Sequence, residues 1–131
     1  MKNSRVGARR ILVVEDEPAI CEVCLRALTS EGFDVDIAVH GVVAQDMLWE
    51  KDYDLVIIDI RTPVMNGKQL YQHIDEKHPD LVNGVIFTTG DVLGGDTQSF
   101  LQLTGRPFLP KPFTPDELKA IVRETLEGIE E

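Results

Sequence analysis

The chain of 131 residues is long enough for one domain with a hydrophobic core and too short for two ordinary ones. Its formal net charge of −10 argues against nucleic acid as a direct partner, because such a chain repels phosphates. No apolar run approaches the length of a membrane span, and the basic segment over residues 1–10 lacks the apolar stretch of a secretory signal. We therefore expect a cytoplasmic protein that does not contact a membrane.

The first half of the chain predicts strands and helices in alternation. In chain order these are a strand over residues 10–14, a helix over 18–31, a strand over 33–38, a helix over 41–51 and a strand over 55–59. Pro18 suits the first turn of a helix and Gly32 suits its end. Val35 and Ile37 alternate with aspartates, which is typical of an edge strand. The unbroken apolar run 55–58 is typical of a strand covered on both faces.

The second half continues the alternation. It predicts a helix over residues 67–78, a strand over 85–89, a short helix over 96–103, a strand over 106–110 and a helix over 114–129. The helix over 67–78 should stop before Pro79, because proline disfavours helical backbone in the preceding residue. Asp96 is expected to cap the fourth helix and Gly105 to end it. Thr114 and Glu117 have the spacing of a capping box.

Five strands alternating with five helices predict an α/β protein, with helices on both faces of a parallel five-stranded sheet. Because crossovers are right-handed, few topologies remain, and the flavodoxin-like order 2-1-3-4-5 places the alternating second strand at an edge. We expect a three-layer (βα)5 sandwich over residues 10–129, preceded by a loose tail over residues 1–9.

Chemically active side chains gather where the predicted strands end. Glu15 and Asp16 follow the first strand and Asp59 ends the third, and these strands are neighbours in the predicted order. Thr89 and Lys111 end the fourth and fifth strands on the same rim. Close carboxylates cannot all ionise unless a cation joins them, and all-oxygen ligands favour Mg²⁺. One aspartate could then attack a phosphoryl group whose charge the metal, the ammonium and the hydroxyl balance.

Each of these residues alone has an ordinary structural explanation, but their combination resembles the receiver domain of two-component response regulators. The chemotaxis response regulator is one such protein. The motifs that carry the resemblance are Glu15-Asp16, Asp59, Thr89-Gly90 and Lys111-Pro112-Phe113, in that order. The resemblance covers residues 10–129. The glycine-rich segment over residues 90–108 is more similar to receivers attached to hybrid sensor kinases.

The resemblance implies partners and a role for each residue. Asp59 would accept a phosphoryl group from a sensor histidine kinase or a histidine phosphotransfer protein. Mg²⁺ would be held by Glu15, Asp16, Asp59 and the backbone carbonyl of Arg61. The phosphoryl oxygens would be bound by Thr89 and Lys111. The chain would thus catalyse its own phosphorylation and dephosphorylation, without being a conventional turnover enzyme.

The resemblance also implies a conformational response. Phe108 would change rotamer, and the face formed by the fourth helix, fifth strand and fifth helix would relay the signal to a downstream output domain or protein. Lys111-Pro112 would be a cis peptide. Arg61 and Asp91 would flank the approach of hydrolytic water.

Three other functions compete with this interpretation. A phosphatase of the haloacid dehalogenase type would need a second aspartate two residues after Asp59, where Arg61 stands. A nucleotide carrier would need a glycine- or hydroxyl-rich loop after the first strand, where Glu15, Asp16 and Glu17 would repel phosphate. A pseudo-receiver that serves as a protein-docking module without phosphorylation stays open.

The cysteines and histidines receive simpler interpretations. Cys21 and Cys24 form a C-x-x-C pair, which we interpret as small apolar residues of a helix, because acidic Glu17 and Glu22 disfavour a reactive thiolate. His40, His73 and His78 lack zinc-type spacing with the cysteines and are expected at the surface.

Overall fold

The computed structural model describes residues 8–90 and 94–130. The strands are β1 (Arg10–Val14), β2 (Asp34–Ala38), β3 (Leu55–Asp59), β4 (Val85–Thr89) and β5 (Phe108–Pro110). The helices are α1 (Pro18–Ser30), α2 (Gly41–Glu50), α3 (Gly67–Lys77), α4 (Gly95–Thr104) and α5 (Pro115–Glu130). A short 3₁₀ helix, Pro79–Gly84, joins α3 to β4. Residues 1–7 of the predicted tail lie outside the described residues.

The strands form one parallel sheet in the order β2-β1-β3-β4-β5. This confirms the predicted flavodoxin-like α/β fold, including the edge position of β2. The register places Val14 beside Ile58, and Asp59 beside Thr88. Since every strand runs in the same direction, the residues that follow the strands all emerge at one edge of the sheet.

Apolar side chains cover both faces of the sheet. One cluster joins the strands to α2, α3 and α4, and the other joins them to α1 and α5. In β3, Val56 and Ile58 belong to the first cluster, whereas Leu55 and Ile57 belong to the second. All five residues of β3 are buried, as its unbroken apolar sequence predicts. This central strand therefore fixes the position of its last residue, Asp59.

The helices begin and end within one residue of their predicted bounds, but the cap of α4 differs from the prediction. In α5 the Thr114 hydroxyl accepts from the Glu117 N–H at 3.1 Å, and the Glu117 carboxylate accepts from the Thr114 N–H at 2.8 Å, which confirms the capping box. Gly105 ends α4 with a φ of 68°. The expected cap by Asp96 is wrong, because α4 begins one residue earlier, with Gly94 as its N-cap, and Asp96 lies in the first turn.

Both cysteines lie in α1, where Cys24 is buried and the Cys21 thiol donates to the carbonyl of Glu15 at 3.3 Å. Burial, followed by the charge of Glu15, raises the pKa of Cys24 to about 12. Burial also raises the pKa of Cys21, helped by Glu15 and Asp16. These thiols are therefore poor nucleophiles, as expected. The acidic residues that add to the effect of burial are Glu15 and Asp16, which precede α1, and not the predicted Glu17 and Glu22.

All three histidines, which are expected at the surface, are half-buried. His40 caps α2 by accepting from the Val43 N–H at 3.4 Å. His73 and His78 are half-buried, and their ring centroids lie 6.1 and 4.5 Å from that of Trp49. Burial lowers the pKa of both imidazoles. They serve as packing groups between α2 and the end of α3.

None of the helices in the described ranges has the length and apolar character needed to cross a bilayer.

Candidate functional site

Four of the predicted site residues come together at the edge of the sheet where the parallel strands end. Asp59 and Thr89 are the last residues of β3 and β4. Glu15 follows β1 directly, and Lys111 follows β5. The site therefore straddles β1 and β3, the neighbouring strands at which the chain reverses its direction of winding across the sheet.

The ammonium group of Lys111 is the centre of the site. Its neighbours are carboxylate oxygens: Glu15 Oε1 at 2.8 Å, Glu17 Oε1 at 3.0 Å and Asp59 Oδ2 at 3.2 Å. Only 12% of the Lys111 side chain is exposed. Burial alone would lower the pKa of Lys111, but its hydrogen bonds to Glu15 and Glu17 and the charge of Asp59 raise that pKa above its ordinary value. Lys111 is thus held as a cation.

Glu15 is anchored by the chain around it. Its Oε2 accepts from the backbone N–H groups of Asp16 and Glu17, each at 3.1 Å, while its other oxygen faces Lys111. The residue is 2% exposed. Burial raises the pKa of the Glu15 carboxyl, and the hydrogen bond from Lys111 opposes that rise. The charge of this carboxylate therefore depends on the lysine beside it.

Asp59 is oriented by the loop between β3 and α3. Its Oδ1 accepts from the Arg61 N–H at 3.1 Å, which leaves Oδ2 toward Lys111. Its carbonyl oxygen accepts from the Thr62 N–H at 3.1 Å and from the Thr62 hydroxyl. The residue is 5% exposed, so one carboxylate oxygen is presented to the cleft from a rigid support.

The fourth and fifth strands supply the other wall. Thr89 is fully buried, and its carbonyl oxygen accepts from the Lys111 N–H at 2.8 Å, which fixes the lysine backbone beside β4. The Lys111-Pro112 peptide is cis, as expected. Phe108, at the start of β5, pairs with Phe87 and is 40% exposed. The aromatic ring expected to switch therefore begins in a partly exposed position.

An acidic cleft of about 360 Å³ opens above these groups. It is lined by Asp16, Glu17, Asp59, Arg61, Gly90 and Lys111. One oxygen from each of Glu15, Glu17 and Asp59 lies within 4.8 Å of the other two, so this group could hold a metal ion. Asp16 lines the cleft outside that group. Asp91 lies outside the described residues.

Glu17 is the site residue that the sequence analysis missed. The signal available was its position: it extends the acidic pair by one residue and stands immediately before Pro18, the first residue of α1. Its side chain is 60% exposed, in contrast to the buried carboxylates of Glu15 and Asp59.

The donor set fits a hard divalent cation. Carboxylate and carbonyl oxygens are the ligands that Mg²⁺ prefers, and clustered carboxylates need a positive partner to remain ionised together. Lys111 supplies part of that positive charge. Among the described residues that line the cleft there is no histidine or cysteine, whose side chains would favour softer metals.

Gly67 keeps the β3–α3 loop close to Asp59, and we expect Gly67→Ala to destabilise the protein. A Cβ at this position would lie 2.6 Å from Ile60 Cα and 3.0 Å from the Asp59 carbonyl oxygen, so the backbone must shift. The free energy of unfolding should fall by about 1–3 kcal/mol, as measured by urea denaturation. A Cβ at Gly128 in α5 would meet no atom within 4 Å, so Gly128→Ala should stabilise the protein by about 0.5–1 kcal/mol. Equal effects of the two variants would contradict this account.

Comparison with known proteins identifies the class of this site. The family model described as "Response regulator receiver domain" matches residues 11–123. The chain therefore belongs to the response regulator receiver domain family, and the resemblance stated from its motifs is confirmed.

Individual relatives agree with this assignment. The chain is 38% identical over 117 residues to the response regulator Rre1 of Synechocystis, and the aligned region covers 88% of this chain and 51% of that protein. It is 34% identical over 123 residues to the sensor kinase CckA of Brucella abortus, and the aligned region covers 92% of this chain and 13% of that protein. The chain thus spans about half the length of one relative and a small part of the other.

Solved structures show the same architecture. A response regulator receiver domain protein from Methanospirillum hungatei is 26% identical, with a TM-score of 0.85 and coverage of 95% of this chain and 98% of that one. The receiver domain of a sensor histidine kinase from Pseudomonas aeruginosa is 30% identical, with a TM-score of 0.78 and coverage of 92% and 99%. That structure has a magnesium ion coordinated in its active site cleft.

Proposed function

We propose that this receiver domain accepts a phosphoryl group on Asp59 from a sensor histidine kinase or a histidine phosphotransfer protein. The observation that carries the proposal is the position of Asp59: a buried aspartate at a strand end whose Oδ1 is held by a backbone N–H while Oδ2 faces the Lys111 ammonium. Such a carboxylate is positioned and electrostatically supported for attack on phosphorus.

In the proposed reaction, an Asp59 carboxylate oxygen forms a bond to the phosphorus of a phosphohistidine. The phosphorus–nitrogen bond breaks, and its electron pair stays on the departing imidazole. Lys111 would balance negative charge on the phosphoryl oxygens, and the Thr89 hydroxyl would donate a hydrogen bond to one of them. The product is an acyl phosphate on Asp59.

We propose Mg²⁺ as the cofactor, because the cleft offers hard oxygen donors and a related receiver domain binds that ion. Its candidate ligands are Glu15, Asp16, Asp59 and the backbone carbonyl of Arg61. When bound, the ion would neutralise charge on the phosphoryl oxygens. Glu15 is pre-oriented for this role by two backbone N–H groups.

Phosphorylation is proposed to shift a two-state equilibrium of the α4–β5–α5 face. Thr89 and Phe108 lie at opposite ends of the β4–β5 pairing, so movement of the threonine toward a phosphoryl oxygen can be transmitted to the aromatic ring. A shift from mostly inactive to mostly active requires about 3–5 kcal/mol of differential stabilisation. The face would then bind a downstream output domain or protein, with no direct role for nucleic acid or membrane.

A titration with fluoroberyllate, which mimics a phosphoryl group bound to a carboxylate, tests the proposal. We expect the backbone amide signals of Asp59, Thr89 and Lys111 to shift in NMR spectra when Mg²⁺ is present and to stay unchanged when it is chelated. Unchanged spectra in both conditions would instead support a pseudo-receiver that docks proteins without phosphorylation.

A further inference from the structure

The Lys111 ammonium is fully engaged within its own protein. A lysine ammonium has three N–H donors and no acceptor. Three carboxylate oxygens lie within 3.2 Å of Lys111 Nζ, one each from Glu15, Glu17 and Asp59. A phosphoryl oxygen can therefore gain a direct hydrogen bond from Lys111 only if one of these carboxylates gives up its own.

The three carboxylates differ in how firmly they are held. Glu15 is 2% exposed and accepts two backbone N–H groups, so moving it would strand a buried charge. Asp59 is 5% exposed and is fixed by the Arg61 N–H, so it keeps its place beside Lys111 until its oxygen bonds to phosphorus. The Glu17 side chain is 60% exposed, so water can replace Lys111 as its partner at little cost.

Glu17 contacts Lys111 instead of capping the helix that follows it. It is the N-cap residue of α1, a position at which shorter side chains such as Ser, Thr, Asp and Asn commonly accept a backbone N–H of the first turn. The Glu17 side chain makes no capping hydrogen bond and reaches instead to Lys111, a residue 94 positions away in the chain. The side chain therefore contributes a contact across the mouth of the cleft rather than a helix cap.

We propose that Glu17 is a positioning residue that reserves Lys111, so that a phosphoryl oxygen reaches the ammonium only after Glu17 has released it. The contact holds the lysine over Asp59 before the phosphodonor arrives and competes with the incoming group. This inference rests on the proposed function of Asp59 as phosphoacceptor, and it adds a residue whose effect opposes phosphoryl binding.

The test compares fluoroberyllate binding to the parent protein and to Glu17→Gln at saturating Mg²⁺, followed by backbone amide shifts. Because an exposed ion pair competes for the lysine, the variant should bind fluoroberyllate about three- to fivefold more tightly. The difference should shrink in 0.5 M salt, since exposed charges are screened. Glu17→Ala should show at least as large an increase.

The matched control is Glu22→Gln, which removes the same charge from an α1 side chain that is 61% exposed and pairs with Arg26 away from the cleft. Its fluoroberyllate affinity should stay within twofold of the parent. The Mg²⁺ dissociation constant of Glu17→Gln is measured separately, without fluoroberyllate, to distinguish the loss of a metal ligand from the release of Lys111. A tenfold weakening of both Mg²⁺ and fluoroberyllate would make Glu17 a metal ligand and overturn the proposal, as would unchanged fluoroberyllate affinity. A parent protein that binds no fluoroberyllate would overturn the function proposed for Asp59 as well.

Discussion

Asp59→Asn is expected to reduce phosphoryl labelling by roughly a thousandfold or more, because a neutral amide oxygen is a poor nucleophile. The fold should survive. Lys111 keeps carboxylate partners at 2.8 and 3.0 Å in Glu15 and Glu17, so its charge stays compensated after the substitution. The measurement is incubation with a small phosphodonor such as acetyl phosphate in the presence of Mg²⁺, followed by quantification of the base-labile acyl phosphate.

Asp46→Asn provides the control for this substitution. Asp46 is an exposed residue of α2, so its replacement makes the same chemical change outside the cleft. This variant should label at the parental rate, and both variants should retain a cooperative thermal transition. Base-labile label that persists in Asp59→Asn would show that another side chain is the acceptor.

Lys111→Met is expected to affect both labelling and stability. Labelling should fall by roughly 100-fold, because a preorganised charge that balances the phosphoryl oxygens is lost. Stability should fall by about 3 kcal/mol near neutral pH, because the buried carboxylates of Glu15 and Asp59 lose their cation. Urea denaturation and acetyl phosphate labelling measure the two effects separately.

The stability loss in Lys111→Met should depend on pH. In the parent, burial already raises the pKa of Glu15 above 4.5, and Lys111 opposes that rise. Without the lysine the folded state binds a proton more tightly still. Near pH 4.5 folded and unfolded chains can both carry the proton on Glu15, so the deficit should be smallest there and should grow as the pH rises. A deficit that is constant from pH 5 to pH 8 would contradict this explanation.

Lys111→Arg separates charge from geometry in the same experiment. The guanidinium keeps the positive charge, so most of the stability should be retained. Its planar fork cannot reproduce a compact ammonium among three oxygens, so labelling should remain well below that of the parent.

The parts of the site that could be predicted from sequence are those fixed by the backbone. The apolar run 55–58 identifies a buried strand, and strand direction then places Asp59 and Lys111 at one edge without any knowledge of side-chain contacts. The capping box at Thr114 and Glu117 is equally local, since both partners lie within one helical turn.

The parts that were missed depend on side chains meeting across long stretches of chain. The contact between Glu17 and Lys111 spans 94 positions, and a capping residue gives no sign of it in sequence. His73 is partly covered because Gln45 and Trp49, on α2, pack beside it. The start of α4 differs because glycine is also accepted at an N-cap, and Gly94 takes that position ahead of Asp96.

The position of Lys111 immediately after β5 makes the outermost strand an electrostatic component of the cleft. β5 has three residues, of which Leu109 is the buried one, and it pairs with β4 on one side. It is therefore weakly held at its edge of the sheet. If its pairing with β4 frays, the ammonium withdraws and Glu15 and Asp59 face each other uncompensated. A protein that binds β5 and stabilises its pairing with β4 therefore keeps the Lys111 ammonium beside the Asp59 carboxylate without contacting that aspartate. By linkage, phosphorylation of Asp59 must change the affinity of such a protein for β5 by the same factor.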